Sequence, residues 1–191
     1  NLMLTRDVEV GDVVDRTSTE GVDLLPSNID LSAAELQLVS EVAREQTLAR
    51  VLRQVKGDYD VILVDCAPSL GLLTINALTA AGSVLIPLQC QYYALEGLTE
   101  LLNTVGLIRG SFNRRLAIEG ILLTMYSPRV NLSKQVEDEI REHFPNEVCR
   151  TIIPRNVRIS EAPSFGQTVI AYDGQSAGAI AYREAGFLNF M

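Results

Sequence analysis

Short apolar runs alternate with longer amphipathic stretches along the chain. Val22–Leu25, Val61–Val64, Ser83–Leu88, Gly120–Met125, Cys149–Ile153 and Thr168–Ala171 have the length and apolar content of strands. Most are continuously apolar rather than alternating, the pattern of parallel strands covered on both faces. Helices are predicted between them. Ser32-Ala33-Ala34-Glu35 reads as a capping box opening a helix that runs, with one break allowed, to Val55. Further helices are predicted over Leu70–Ala81, Ala94–Ile108, Asn131–His143 and Ala177–Phe187. In the second of these, Leu95, Leu98, Leu101, Leu102 and Val105 share one face. The order β-α-β-α-β-α-β predicts an α/β fold with a doubly wound, mostly parallel sheet and helices on both faces. No repeat, low-complexity tract or linker divides it, so residues 1–191 read as a single domain.

Composition narrows the class. At 47% hydrophobic residues the chain can bury a substantial core, but no apolar run approaches the roughly 18 residues of a membrane span. No basic, apolar signal segment opens it. Cys66, Cys90 and Cys149 are widely spaced and odd in number, which fits a reducing cytoplasm better than a disulfide framework. His143 is the only histidine, which argues against a histidine-based metal site. The net charge of −8 argues against a surface that wraps nucleic acid. It leaves room for a local patch from Arg129, Arg150 and the Arg155-Asn156-Val157-Arg158 stretch, which composition alone does not separate from ordinary surface arginines.

Tyr59 to Gly71 is the most informative segment. Val61-Ile62-Leu63-Val64 delivers Asp65 to a strand's carboxyl end, where open α/β sheets bind ligands, and a Cys-Ala-Pro-Ser turn follows. An aspartate there also serves to cap a turn into a helix. Ser69 could cap the helix from Leu70, and Pro68 stiffens the turn. Gly174-Gln175-Ser176-Ala177-Gly178 matches a nucleophile elbow, but no histidine follows Ser176, so it is better read as a loop and helix start. Glu137-Asp138-Glu139 reads as a solvated helix face. Gln89-Cys90-Gln91-Tyr92-Tyr93 and Pro154-Arg155-Asn156 each follow a strand and could line a ligand rim. A ligand-free turn fits either equally well.

Together these segments are more specific. Leu24-Leu25-Pro26-Ser27-Asn28, the Asp65 turn through Gly71, Pro87 to Gly97, Leu122 to Met125 and Ile153 to Ser164 resemble the ParA/Soj-type partition ATPases, MinD relatives of the deviant Walker A group. The resemblance covers nearly the whole chain. It implies a P-loop NTPase fold, with Asp65 as the Walker B aspartate holding magnesium through water. Cys66–Gly71, including Pro68, would be the second switch, and Pro154, Arg155 and Asn156 would flank the adenine of ATP. Arg129 and Arg158 would give sequence-independent DNA binding by an ATP-bound homodimer, released when a ParB-like protein stimulates hydrolysis to ADP and phosphate. The expected location is the cytoplasm, on the nucleoid, with no membrane partner. One departure is definite. The family opens on a glycine-rich loop bearing a lysine, whereas the only lysines here, Lys56 and Lys134, lie outside any glycine loop. The P-loop lysine and first-switch aspartate are thus absent from these 191 residues, and no catalytic residue is assigned within them. The chain is expected to be N-terminally truncated, short of the first sheet strands, and inactive alone. A non-enzymatic DNA- or protein-binding module and a MinD-like positioning ATPase are the alternatives. Phe187–Met191 is too short and lacks the basic face of a membrane-binding helix.

Overall fold

The computed structural model describes residues 8–189, with the side chains of 187–189 excepted. Residues to 82 together with 104–116 form one compact unit, and 83–103 with 117 onward form another.

In the first unit a small antiparallel hairpin pairs β1 (Asp15–Arg16) with β2 (Asp23–Leu24). The strand expected over Val22–Leu25 is thus reduced to two residues. Gly21, at φ +75°, turns the hairpin, and the Thr17 hydroxyl donates to the Val22 carbonyl at 2.6 Å. Helix α1 (Leu31–Leu38) buries Ala34 and Leu38. The break allowed by the sequence falls at Ala43, whose φ of +54° ends one helical direction before α2 (Thr47–Leu52) begins the next. Helix α3 (Leu72–Ala80) buries Thr74, Asn76, Ala77 and Leu78. Its carboxyl end is closed by Asn113, whose amide donates to the carbonyls of Leu78 at 3.0 Å and Ala81 at 2.7 Å.

Two expectations fail in this unit. No capping box forms, because Ser32 lies inside α1 rather than before it and no side chain caps that helix. Glu35 caps α3 instead, its Oε1 accepting the backbone N–H of Leu72. The Val61–Val64 run is not a strand. Among the described residues its backbone has no ladder partner, and its side chains face solvent, Leu63 at 79% exposure. A buried parallel strand exists only beside another strand, and without one the apolar run stays an extended, uncovered segment.

The second unit contains the parallel sheet. β3 (Ser83–Gln89) pairs with β4 (Ala117–Thr124) from Ser83 opposite Ala117 to Gln89 opposite Thr124. A third segment runs parallel beyond β4 in two pieces. Cys149 N–H donates to Ile121 at 2.9 Å and Ile153 N–H to Leu123 at 2.8 Å. Four residues of advance on one side match two on β4, so the chain bulges through Arg150–Ile152. Only isolated bridges, Ile121 to Val148 and Tyr126 to Pro154, stand where a continuous Cys149–Ile153 strand was expected.

Burial along β4 follows from cover on both faces. Ile121 and Leu123 pack with Ile86, Leu88, Leu98 of α4 (Ala94–Ser111) and Val136 and Ile140 of α5 (Asn131–His143). Leu122, on the opposite face, packs with Ile153 and with Ala181 and Ala185 of α8 (Ala177–Asn189). Each of these large side chains contributes about 1.5–3 kcal/mol through burial. Thr168–Ala171 is not a strand. The Thr168 hydroxyl accepts the Ala171 N–H at 3.2 Å and caps the short helix α7 (Val169–Tyr172), leaving only Val169 buried.

Candidate functional site

Parallel strands present their carboxyl ends on one rim, and the second unit brings both flagged rim segments there, together with the loop that carries Arg129. β3 leads into Gln89–Tyr93. β4 leads into Met125–Arg129. The third segment leads into Pro154–Arg158, before and within helix α6 (Val157–Glu161). The backbone stitches them. Cys90 N–H donates to Thr124 at 3.1 Å, Tyr126 N–H to Ile153 at 3.2 Å, and Arg155 N–H to Tyr126 at 2.8 Å. Met125, at the end of β4, takes φ +54°, a left-handed conformation that costs about 1 kcal/mol in a non-glycine residue. It turns the chain so that Tyr126 can make that two-sided pairing.

Each predicted rim residue can now be placed. Pro154 bridges Tyr126, and Arg155 is exposed. Asn156 caps α6, its Oδ1 accepting the Arg158 N–H at 2.8 Å, so this oxygen is committed to the helix. Arg129 is exposed, three residues beyond the Tyr126–Pro154 bridge, and forms no ion pair among the described residues. Arg158 differs. Its guanidinium holds Glu161 at 2.8 Å and Asp173 at 3.3 Å. The Glu161 hydrogen bond, then its charge, holds the Arg158 pKa above the ordinary value. Beside this rim, Leu88, Gln89, Gln91, Tyr93, Ala94 and Gly97 line a depression of about 250 Å³. That is at the small end of ligand pockets, which begin at roughly 300 Å³. Tyr92 and Tyr93 meet edge to face at 5.2 Å, both largely exposed.

Asp65 lies in the first unit, exposed. The turn after it is tied at its exit. Ser69 N–H donates to Ala67 at 2.7 Å around Pro68, and the Thr74 hydroxyl donates to the Ser69 carbonyl at 2.6 Å. Ser69 does not cap α3, since Gly71 occupies the cap position and Glu35 receives the first N–H. Desolvation, then the Asp65 charge, pushes the Cys66 thiol up. Among the described residues no cluster of three His, Cys, Asp or Glu could cage a metal. One open carboxylate suits magnesium, which keeps several waters and takes one or two carboxylates plus phosphate oxygens.

The other motif resolves plainly. Ser176 Oγ accepts the Ala179 N–H at 3.3 Å and donates to the Asp173 carbonyl at 2.8 Å. It caps α8, with no base in reach. His143 is exposed at the end of α5, its Nδ1 2.8 Å from the Glu139 carbonyl.

Residues 1–118 match the profile of the AAA domain family. Over 180 residues the chain is 53% identical to the sporulation initiation inhibitor protein Soj of Bacillus subtilis, covering 94% of the chain and 71% of that protein. The chain belongs to the ParA/Soj family of partition ATPases. The chromosome partitioning protein ParA of Myxococcus xanthus is 47% identical, over 96% of the chain and 65% of the relative. The chromosome-partitioning ATPase Soj of Treponema pallidum is 46% identical, over 95% and 72%. The chain therefore spans about two thirds of the length of these relatives. Among solved structures, a cobyrinic acid a,c-diamide synthase of Mycobacterium smegmatis with a bound ATP analog and magnesium superposes with a TM-score of 0.79 at 38% identity. That match covers 96% of this chain and 67% of the other. The ATP complex of a Cyanothece McdA variant superposes at 0.82 with 20% identity, covering 96% and 73%, and shares the fold alone. The fold is that of the α/β P-loop NTPases, as the sequence predicted.

For a ParA/Soj chain, sequence reasoning missed Glu35 at the α3 terminus and the carboxylates around Arg158. Glu161 stands three residues from Arg158, the spacing of a helical ion pair, whereas Glu35 and Asp173 carry no such local signal. Glu35 fits a capping box, and Asp173 lies fifteen residues from Arg158.

Proposed function

We propose that this chain is the nucleotide-sensing and DNA-contacting part of a partition ATPase acting in chromosome or plasmid segregation. Asp65 holds magnesium through water, and the Cys66–Gly71 turn with Pro68 responds to the terminal phosphate. Pro154, Arg155 and Asn156 flank the adenine of ATP. When bound, the metal neutralises phosphate charge during hydrolysis to ADP and phosphate. Arg129 and Arg158 contact DNA phosphates in an ATP-bound homodimer by counterion release, which makes binding salt-dependent and indifferent to sequence. A ParB-like partner stimulates hydrolysis and frees the DNA, and the protein works in the cytoplasm on the nucleoid. Among the described residues no helix is long and apolar enough to cross a membrane.

The observation that supports this reading is the rim. Arg129 and Arg158 follow the two parallel segments joined at the Tyr126–Pro154 bridge, in a chain 53% identical to Soj. In a version extended to the length of its relatives, Arg129→Glu with Arg158→Glu abolishes retention on DNA and leaves ATP affinity unchanged. Full retention by that variant removes the DNA assignment. The 191-residue chain, whose sequence holds no glycine-lysine loop, shows no saturable ATP binding by calorimetry; micromolar affinity overturns that expectation.

A further inference from the structure

Among the described residues, Arg158 is the rim arginine whose charge the fold already answers. Its Nη1 reaches Glu161 Oε2 at 2.8 Å and its Nε reaches Asp173 Oδ2 at 3.3 Å. The two carboxylates come from separate places, one on α6 and one after α7, and each is held independently. Glu161 Oε2 also lies 3.4 Å from the Tyr172 hydroxyl, whose ring stacks on Phe165 at 5.0 Å. The Asp173 backbone is fixed on both sides, its N–H donating to Val169 at 2.9 Å and its carbonyl accepting from the Ser176 hydroxyl at 2.8 Å. The next residue, Gly174, is held by Arg183 at 2.6 Å.

One guanidinium between two carboxylates carries a local charge of −1, so an approaching phosphate meets repulsion rather than attraction. Of the five guanidinium N–H groups one is donated to Glu161, and the Asp173 carboxylate stands beside Nε as a second charge partner, so a phosphate must compete with two anions for this side chain. Arg129 has no such partners among the described residues.

We propose that Glu161 and Asp173 are an internal decoy for phosphate. They hold Arg158 in a paired state, so that a nucleic-acid phosphate competes with two carboxylates for it. The two acids thereby set how tightly the rim grips DNA. This rests on the reading of Arg158 as a DNA contact. It adds that the contact is restrained from within the chain.

The test is binding of a fluorescent duplex of about 30 base pairs by the version extended to its relatives' length, with ATP, across a salt series. Glu161→Gln with Asp173→Asn tightens binding about 3–10-fold at low salt and steepens the salt dependence by about one phosphate. Glu139→Gln with Glu142→Gln on α5 changes net charge equally and gives a smaller gain. Adding Arg158→Gln to the decoy variant erases the gain. Asp173→Asn alone, which leaves the Tyr172–Glu161 contact in place, gives part of the gain and guards against misfolding of the double variant. Equal gains from the decoy and control pairs overturn the proposal, as does weaker, unchanged or undetectable binding by both decoy variants. If Arg158→Gln weakens binding while the decoy variants do not tighten it, the decoy fails and the DNA contact stands. If Arg158→Gln has no effect in either background, both fall.

Discussion

The carboxylate of Glu35, on α1, accepts the backbone N–H of Leu72, the first residue of α3. Four N–H groups at a helix start lack partners within the helix, and a negative charge there also meets the positive end of the helix dipole. Glu35→Ala therefore costs about 1 kcal/mol, and Glu35→Gln, which keeps an acceptor but loses the charge, costs less. Urea unfolding checks this through the midpoint. Because Gly71 and Leu72 end the Asp65 turn, hydrogen exchange at Leu72 and Leu73 should also speed up in Glu35→Ala. An unchanged midpoint together with unchanged exchange would remove Glu35 as the cap.

Inside the same unit Asn76 is fully buried and ties three backbone positions. Its Oδ1 accepts from Leu48 N–H at 3.1 Å, and its Nδ2 donates to the carbonyls of Arg44 and Leu72, each at 2.9 Å. A buried backbone group left without a partner costs about 1–3 kcal/mol. Asn76→Ala strands the Leu48 N–H and the Arg44 carbonyl, so it destabilises by about 2–4 kcal/mol. Asn76→Asp keeps the acceptor and loses both donors, and it also buries a charge. It should be at least as harmful. A loss under about 0.5 kcal/mol in either variant would mean water satisfies these groups.

Asn76 also shows what the sequence discloses and what it conceals. Elements whose stability is local or built on neighbours in the same unit read correctly. Asn131–His143 came out with its predicted bounds, because Ser133, Val136 and Ile140 lie at helical spacing and Pro145 follows. Ser83–Leu88 and Gly120–Met125 form β3 and β4 nearly as expected, since each is the other's partner. Val61–Val64 misled because an apolar run encodes the capacity to be a strand, while the ladder must come from another strand. Thr168–Ala171 misled because a threonine before three apolar residues suits a strand and an N-cap equally. At the site, residue types at strand ends were legible. Of the two acids beside Arg158, Glu161 stood at a readable helical spacing, but Asp173 did not, since a pairing across fifteen residues leaves no periodic trace.

Gly120 is held small by a specific neighbour. A Cβ there would lie 2.7 Å from the Cys149 sulfur, while the next atom, the Glu147 carbonyl oxygen, stands at 3.5 Å. Gly120→Ala forces β4 and the third segment apart where Ile121 and Cys149 share a hydrogen bond of 2.9 Å, and costs about 1–3 kcal/mol. Cys149→Ala removes the clashing atom. The double variant should therefore be more stable than the sum of the two single losses predicts, by at least about 1 kcal/mol of coupling. Additive losses in thermal unfolding would show that the glycine is needed for its backbone and not for the space.

Two thiols report on the charges beside them. Burial, then the charge of Glu137, pushes the buried Cys90 thiol up to about 11. At pH 8 only about one molecule in a thousand carries that thiolate, so Cys90 is slow to alkylate. Cys66 is exposed, and its thiol is raised first by desolvation and then by the adjacent Asp65 carboxylate. A negative neighbour disfavours the thiolate, so removing that charge must lower the pKa. Asp65→Asn should then speed iodoacetamide labelling of Cys66 at about pH 7–8, with the difference fading as pH rises past the thiol pKa in both proteins. Labelling of Cys90 should not change, which separates a local charge effect from general loosening. A Cys66 rate that is unchanged or slower in Asp65→Asn would show that the carboxylate points away from the thiol. Asp65 would then lose its only observed influence on the turn it leads into.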